Sequence, residues 1–385
     1  MSVDRNETRQ VVREVVKGVT DRFDRRDFLR RAKDREDLAD VWATMADLGL
    51  LGVGIPEEHG GTGEGITGPV AVVEAMSQMG TPPMLYLLTS FSRMALLRHG
   101  SAEQQKRFVA PTVTGDLRLC FAITEADAGT NSFRMETFAS QDGDGYSISG
   151  QKVFISGADV ADHMLLVART TRLRDAENKR DGLSLFVVPM DAEGLEIQPM
   201  DIELHSPERQ FFVFLRDVHV PEENLIGERD RGLRSLFDAL NPERMLVAAW
   251  ALGLGDHALA RGVEYARERA PFGAPIGSYQ AVQHPLARAK AHLEAARSVL
   301  YDACEAYDAG QDAGAAANMA KLLASEAAGE AVDAAVQTHG GSAFEHDTDV
   351  ATLWPMVRLL RIAPVNNEMV LNYLSERVLG LPKSY

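Results

Sequence analysis

The chain has 385 residues, 45% of them hydrophobic and 25% charged, the balance of an ordinary globular protein long enough for more than one domain. A net charge of −16 with no long or isolated basic run excludes a surface built on phosphate contacts, and so a nucleic-acid partner. Two cysteines, Cys120 and Cys304, cannot build a disulfide framework and stand in no C-x-x-C or Cys/His cluster. A reduced, cytoplasmic setting without a metal centre is expected.

The N-terminal stretch MSVDRNETRQVVREVVKG mixes acids with bases and has no apolar core of a signal peptide. No window approaches the roughly 20 apolar residues of a membrane span, so membrane insertion is not expected. Helices follow. DREDLADVWATMADLG carries apolar residues three and four apart and closes at Gly49, and SAEQQKRFVAPTVTG opens with a Ser101/Gln104 capping box. GVGIPEEHGGTGEG lies between helical stretches; it lacks the order of a phosphate-binding loop and reads as a plain connection. Residues 1–118 are predicted to form an N-terminal α-helical domain.

From Leu119 the pattern changes to short β-forming runs, YSISGQKVFIS, HMLLVART, LSLFVVPM and FFVFLRDVHV, separated by turn signals such as DGDG. Residues 119–228 are predicted to form a middle antiparallel β-domain. Strands and helices do not alternate, which argues against a Rossmann sheet. TRLRDAENKRDG reads as a solvated charged connection. After PEENLIG the helical period returns over roughly 232–270, 280–309, 314–338 and 352–379, with PFGAPIG, AGQDAG and HGGSAF as breaks. Residues 229–385 are therefore predicted as a C-terminal four-helix bundle, which makes the whole an α+β multidomain chain.

Three patches hold residues suited to chemistry. AITEADAGTN joins the first β-run to a polar turn whose Thr124, Thr130 and backbone amides offer hydrogen bonds to a cofactor edge or simply shape a turn. RERAPFG followed by YQAVQ ends one helix and starts another, so Arg269 and Gln280 have the means to meet an anion near helix ends. QTHGG ends a third helix, where the glycines also serve as a C-terminal cap. A fourth feature is the acid in ALNPERMLVAAW: Glu243 stands beside Arg244 in an otherwise apolar run. Its plain explanation is a solvated first turn. The histidines show no metal-ligand spacing, and His339 and His284 read as structural.

Taken together, TEADAGTN, GQKVFIS, NLIGERDRG, RERAPFGAPIGSYQAVQHPLA, MAKLLASEAA and QTHGG, in this order, resemble the acyl-CoA dehydrogenase family over nearly the whole chain. The resemblance implies FAD held non-covalently between the β-domain and the bundle, usually in a homotetramer built of dimers. It implies contacts to the flavin from Phe121, Thr124, Gly129, Thr130 and Asn366, with Thr130 also touching the thioester. Phe154 and Ser156 match residues beside the isoalloxazine ring. Arg269, Phe272 and Gln280 match positions that reach the FAD of a neighbouring subunit, and Gln337, Gly340 and Gly341 match the segment along its adenosine diphosphate part. His205 and HSPERQ match a segment near the substrate cavity.

Desaturating a thioester removes a weakly acidic α-proton while a β-hydride leaves, so a carboxylate base must face the α-carbon in a dry pocket. In many family members that base lies near the C-terminus. Here the matching position is Pro364, and Glu368 and Glu376 fall one and three turns further on. A minority of the family carries the base on the first long helix of the bundle in a segment resembling x-x-E-R-L. NPERM matches it, which assigns the base to Glu243 and substrate contacts to Asn241 and Arg244. Pro364 also lacks the backbone N–H that commonly donates to the thioester carbonyl. Pro355-Met356 stands where the family usually has Arg-Asp, and Asn366 where it usually has Thr.

The implied activity is FAD-dependent desaturation of an acyl-CoA, with electrons passed to an electron-transfer flavoprotein. Two alternatives use the same scaffold. One is a flavin-dependent monooxygenase, which needs no glutamate base. The other is a catalytically weakened flavin-binding subunit of a hetero-oligomer.

Overall fold

The computed structural model describes residues 5–63, 65–178, 180–345 and 348–383. Residues 1–4 of the N-terminal stretch, Glu64 of the glycine-rich connection and Lys179 of the charged connection lie outside them.

Seven helices come first: α1 (Arg5–Thr20), α2 (Arg25–Asp34), α3 (Ala39–Asp47), α4 (Thr67–Gln78), α5 (Met84–His99), α6 (Ala102–Phe108) and α7 (Ala110–Thr114). The expected start signal of α6 is present: the Gln104 N–H donates to Ser101 Oγ at 3.2 Å and the Ser101 N–H to Gln104 Oε1 at 2.8 Å. Gly49 follows α3 at φ +74°, a left-handed conformation that favours glycine. α4 is buried along eleven of its twelve residues, as a helix enclosed by others must be.

The strands are β1 (Leu119–Ala122), β2 (Phe138–Asp142), β3 (Gly145–Ser156), β4 (His163–Arg169), β5 (Leu183–Pro189), β6 (Leu195–Pro199), β7 (Gln210–Pro221) and β8 (Leu225–Ile226). They pair along the path β6-β7-β3-β2-β4-β5-β8, antiparallel except where β2 touches β4 at Phe138 and Arg169. The expectation of a purely antiparallel domain is corrected at β1, which pairs parallel to β4 from Leu119/His163 to Ala122/Leu166. The long chain between the two strands supplies the crossover that parallel pairing needs. On β4, Leu165 and Val167 join the core shared with the helices, while Met164, Leu166 and Ala168 face the sheet's own interior. Burial of both faces explains why HMLLVAR reads as a continuous apolar run.

The C-terminal part has three long helices, α8 (Gly232–Glu268), α9 (Gln280–Asp308) and α10 (Gly314–His339). α4 lies close along α8 at Gly253, where a Cβ would come 2.4 Å from that of Ser77 and 2.6 Å from the carbonyl oxygen of Glu74. The fourth long helix expected over 352–379 is broken. It forms α11 (Leu353–Leu359), a non-helical turn through a cis Ala363-Pro364 bond, α12 (Asn367–Tyr373) and one π-helical turn, Leu374–Val378. Pro364 has no N–H to continue a ladder, and Asn366 starts α12 afresh by accepting the Met369 N–H on its side chain at 2.9 Å. The helical core spans both helical parts without a break, from Val12 of α1 to Leu360 just beyond α11. Among the described residues no helix is long and apolar enough to cross a membrane, and no cluster of three or more His, Cys, Asp or Glu could hold a metal.

Candidate active site

The middle domain supplies one wall through two linked segments. In β3, Lys152 pairs with Val213 of β7 and Ile155 with Phe211, so Val153 and Phe154 stand opposite Phe212 alone. This bulge re-aims a side chain, and Phe154 sits there at φ +59° with 59% of its surface exposed. The turn TEADAGTN is fastened to the bulge: the Val153 N–H donates to the Thr124 carbonyl at 3.0 Å, and Lys152 Nζ donates to the Ile123 carbonyl and to Glu125 Oε1, both at 2.9 Å. Glu125 also accepts the backbone N–H groups of Glu136 and Thr137. Burial pushes the Glu125 carboxyl up, but Lys152 and the N–H of Glu136 outweigh it and hold the group below the usual carboxylate range. Burial lowers the Lys152 ammonium to about 8. Glu125 and Lys152 are thus a structural pair that shapes the turn, and sequence reasoning assigned them no role. Their signal was available: a lysine inside an otherwise apolar strand needs a partner.

Ser156 accepts a hydrogen bond from Gln210 Nε2 at 2.6 Å. Thr124 is half-buried, Gly129 and Thr130 are exposed, and a Cβ built on Gly129 would meet nothing within 4 Å. Phe121 is buried, edge-on to Phe91 of α5 with centroids 4.9 Å apart.

The bundle supplies the candidate base. Glu243 is not in a first turn: α8 begins eleven residues earlier, which removes the solvated-cap explanation. It is 7% exposed, and Oε2 has no hydrogen-bond partner among the described residues. Burial raises its carboxyl to about 7, with Arg244 pulling the other way. Trp250, seven residues on and on the same helical face, is also buried. Arg244 turns to another side, where Nη1 donates to Asn241 Oδ1 at 3.1 Å. Asn241 and the Tyr373 hydroxyl both lie near Gly314 at the start of α10.

A third component is the turn after Pro364. Asn366 Nδ2 donates to Thr130 Oγ1 at 3.0 Å, joining the bundle to the middle domain. Behind it, Lys321 Nζ donates to the Val365 carbonyl at 2.6 Å and to Asn367 Oδ1 at 2.7 Å. Burial, with Arg244 nearby, lowers the Lys321 ammonium to about 8. Sequence reasoning quoted Lys321 only within MAKLLASEAA and gave it no task. Glu368 is exposed and Glu376 half-buried on the segment beyond.

The remaining candidates gather elsewhere. Arg269 ends α8, Gln280 opens α9, and Gln337, Gly340 and Gly341 end α10; all are exposed, as is Phe272 at 83%. Tyr265 stacked on His339 at 4.4 Å brings the ends of α8 and α10 together. Gly340 has φ +59° and ψ −132°, a conformation open to glycine. His339 Nδ1 lies 2.8 Å from the Ala335 carbonyl, which confirms a packed, structural histidine. His284 and His205 are exposed, and HSPERQ instead buries Glu208 against the Leu85 N–H and the Ser206 hydroxyl.

A sheet with an outward-turned aromatic and a helix that buries an unpartnered carboxyl suit an oxidoreductase acting on an acyl thioester. Models of the acyl-CoA dehydrogenase N-terminal, middle and C-terminal domains match residues 3–116, 120–206 and 230–379. The chain belongs to the acyl-CoA dehydrogenase family. It is 42% identical over 383 residues to acyl-CoA dehydrogenase FadE12 of Mycobacterium tuberculosis, covering 99% of this chain and 98% of that one. It is 29% identical over 321 residues to subunit CarC of the caffeyl-CoA reductase-Etf complex of Acetobacterium woodii, covering 83% and 84%. Among solved structures, butyryl-CoA dehydrogenase from Megasphaera elsdenii superposes with a TM-score of 0.92 at 26% identity, covering 98% of this chain and 100% of that one. The FAD complex of PigA gives 0.89 at 26% identity, covering 99% and 98%.

Proposed function

We propose that the protein desaturates an acyl-CoA thioester between its α- and β-carbons, with FAD as cofactor and Glu243 as the base. The observation that carries this reading is the buried, unpartnered Glu243 carboxyl held near neutrality, since a base must be ionised often enough to act yet basic enough to take a weakly acidic proton. Membership of the family and the FAD complex formed by PigA support the cofactor. The residues present suit it as well. Phe154 offers a flat exposed face, Thr124, Thr130, Ser156 and Asn366 offer hydroxyl and amide groups, and Gly129 leaves room for close approach. FAD held by these residues would supply the acceptor for the hydride that leaves the β-carbon.

The chain's own groups do the rest. Glu243 takes the α-proton on its free oxygen, in a site dry enough to keep the carboxyl basic. Arg244 and Asn241, linked to each other on an adjacent side of α8, hold the thioester end of the substrate. Thr130 and Asn366 close the site across the interdomain gap.

Arg269, the residue that caps the end of α8, lies 26 residues after Glu243, about 39 Å along the helix at 1.5 Å per residue. Arg269, Phe272, Gln280, Gln337, Gly340 and Gly341 cluster at or near the helix ends on that side, and Arg269 is that far from Glu243 along the helix. We assign them to the FAD of a neighbouring copy, in a homotetramer or dimer. Electron-transfer flavoprotein is the electron partner, as the name of the CarC complex suggests for that relative. Units of 1–118, 119–228 and 229–385 and a cytoplasmic location complete the reading.

The test is anaerobic bleaching of the yellow holoprotein across short, long, branched and aryl acyl-CoAs. Bleaching by at least one, lost in Glu243→Gln with FAD still bound, is expected. Oxygen uptake with reduced flavin and no acyl thioester would instead make the protein a monooxygenase. Copurification with a second homologous chain, and no bleaching by this chain alone, would make it a flavin-binding subunit.

A further inference from the structure

Pro364 has no backbone N–H, at the position whose amide commonly donates to the thioester carbonyl in the family. Between Ala363 and Asn367 two amides remain, those of Val365 and Asn366, and neither donates to an acceptor among the described residues. The direction of the second is set by its neighbour. Lys321 Nζ, from inside the bundle, holds the Val365 carbonyl at 2.6 Å and is anchored by Asn367 Oδ1 at 2.7 Å. The Val365–Asn366 peptide is planar and trans, so its N–H points opposite to its carbonyl. Lys321 therefore lies on the carbonyl side of this peptide, and the Asn366 side chain meets Thr130 of the middle domain. The Asn366 N–H is therefore directed away from Lys321 of α10, at the turn whose side chain reaches the middle domain.

We propose that the Asn366 backbone N–H, aimed by Lys321 through the Val365 carbonyl, donates to the thioester oxygen in place of the amide lost at Pro364. The inference rests on the desaturation reading above. Negative charge grows on that oxygen as the α-proton leaves, and a donor already fixed there stabilises it without reorganising. Lys321 is the positioning residue. Asn366 has φ −67°, which proline also adopts, so the N–H can be deleted with little change in backbone angle.

The experiment uses the FAD-loaded protein carrying Glu243→Gln to stop turnover, with butyryl-, octanoyl- and 3-phenylpropionyl-CoA labelled with carbon-13 at the carbonyl. The infrared stretch of the bound carbonyl is the readout. Asn366→Ala and Asn366→Pro both lose the side chain that meets Thr130, so they differ in the amide alone, and the alanine variant is expected to show the lower stretch of the two. Asn366→Pro is expected to move the stretch to higher wavenumber, and Lys321→Met part of the way, with flavin absorbance retained in both. With Glu243 restored, Asn366→Pro is expected to bleach on the order of 10²-fold more slowly than Asn366→Ala. Equal stretches in the proline and alanine variants overturn the proposal while leaving the desaturation reading standing. If the proline variant does not fold, Lys321→Met decides, and a stretch at the parental position overturns the proposal. If no acyl-CoA bleaches the parent protein, the functional reading itself fails and this inference falls with it.

Discussion

Glu243 and Arg244 are adjacent in α8 but form no ion pair: the guanidinium turns to Asn241 at 3.1 Å, and the carboxyl keeps Oε2 unpartnered in a buried site. Successive residues lie about 100° apart around a helix, so neighbours in sequence face different surroundings. The arrangement keeps the acid close to a positive charge without tying it up. An ion-paired Glu243 would be a poor base, since its carboxyl would fall to the usual carboxylate range.

The Glu243→Gln variant is expected to bleach with acyl-CoA at least 10²-fold more slowly than the parent, the scale of a general base's contribution. FAD content, read from the visible spectrum, is expected to stay unchanged. Bleaching at the parental rate would remove Glu243 from the chemistry.

The bleaching rate is expected to rise with pH through about 7, where the Glu243 carboxyl loses its proton. Stability moves the other way. The folded chain keeps this proton up to about 7 while the unfolded chain loses it near ~4.3, so stability falls as pH rises across that window. The loss is roughly 3–4 kcal/mol. Denaturant titrations of parent and Glu243→Gln at several pH values measure it, and the glutamine variant is expected to lack this component of the slope.

Lys152→Met leaves Glu125 half-enclosed with a charge that has lost its cation. A loss of about 3–5 kcal/mol is expected, as for a broken buried pair. Adding Glu125→Gln should recover part of it, because the two sites share one interaction. Urea unfolding of the two singles and the double closes the cycle. Additive losses would show that the pair does not shape the turn.

Phe154→Gly separates backbone from binding. A glycine relaxes the φ of +59°, so the apoprotein is expected to keep or gain up to about 1 kcal/mol of stability. FAD, which loses an aromatic face, is expected to bind more weakly by fluorescence titration. A destabilised apoprotein with unchanged FAD affinity would assign Phe154 to the fold.

On the proposed assignment of Arg269 to the FAD of a neighbouring copy, Arg269→Glu is expected to make FAD occupancy fall on dilution. Size-exclusion chromatography with absorbance detection follows both mass and flavin. Occupancy that falls equally at all protein concentrations would place Arg269 on its own subunit's cofactor.

Much of the protein was legible before any coordinates. The Ser101/Gln104 box, the β-forming runs from Leu119 and the three long helices after Gly232 depend on spacing and local hydrogen bonds, which a linear pattern records. The motif order led to the family, and NPERM singled out Glu243. What a linear pattern does not record is the partner of each group. The parallel pairing of β1 with β4, the Lys152–Glu125 pair and the hold of Lys321 on Val365 join residues 27 to 44 positions apart. Nor does helical period show where a helix breaks: the apolar spacing over 352–379 continues across Pro364, but the chain turns there because the ladder loses a donor and Asn366 caps a new start. The burial that raises Glu243 is likewise a tertiary property. Sequence supplied the acid and its helix, and the packing of the other helices and the middle sheet around them made that acid dry.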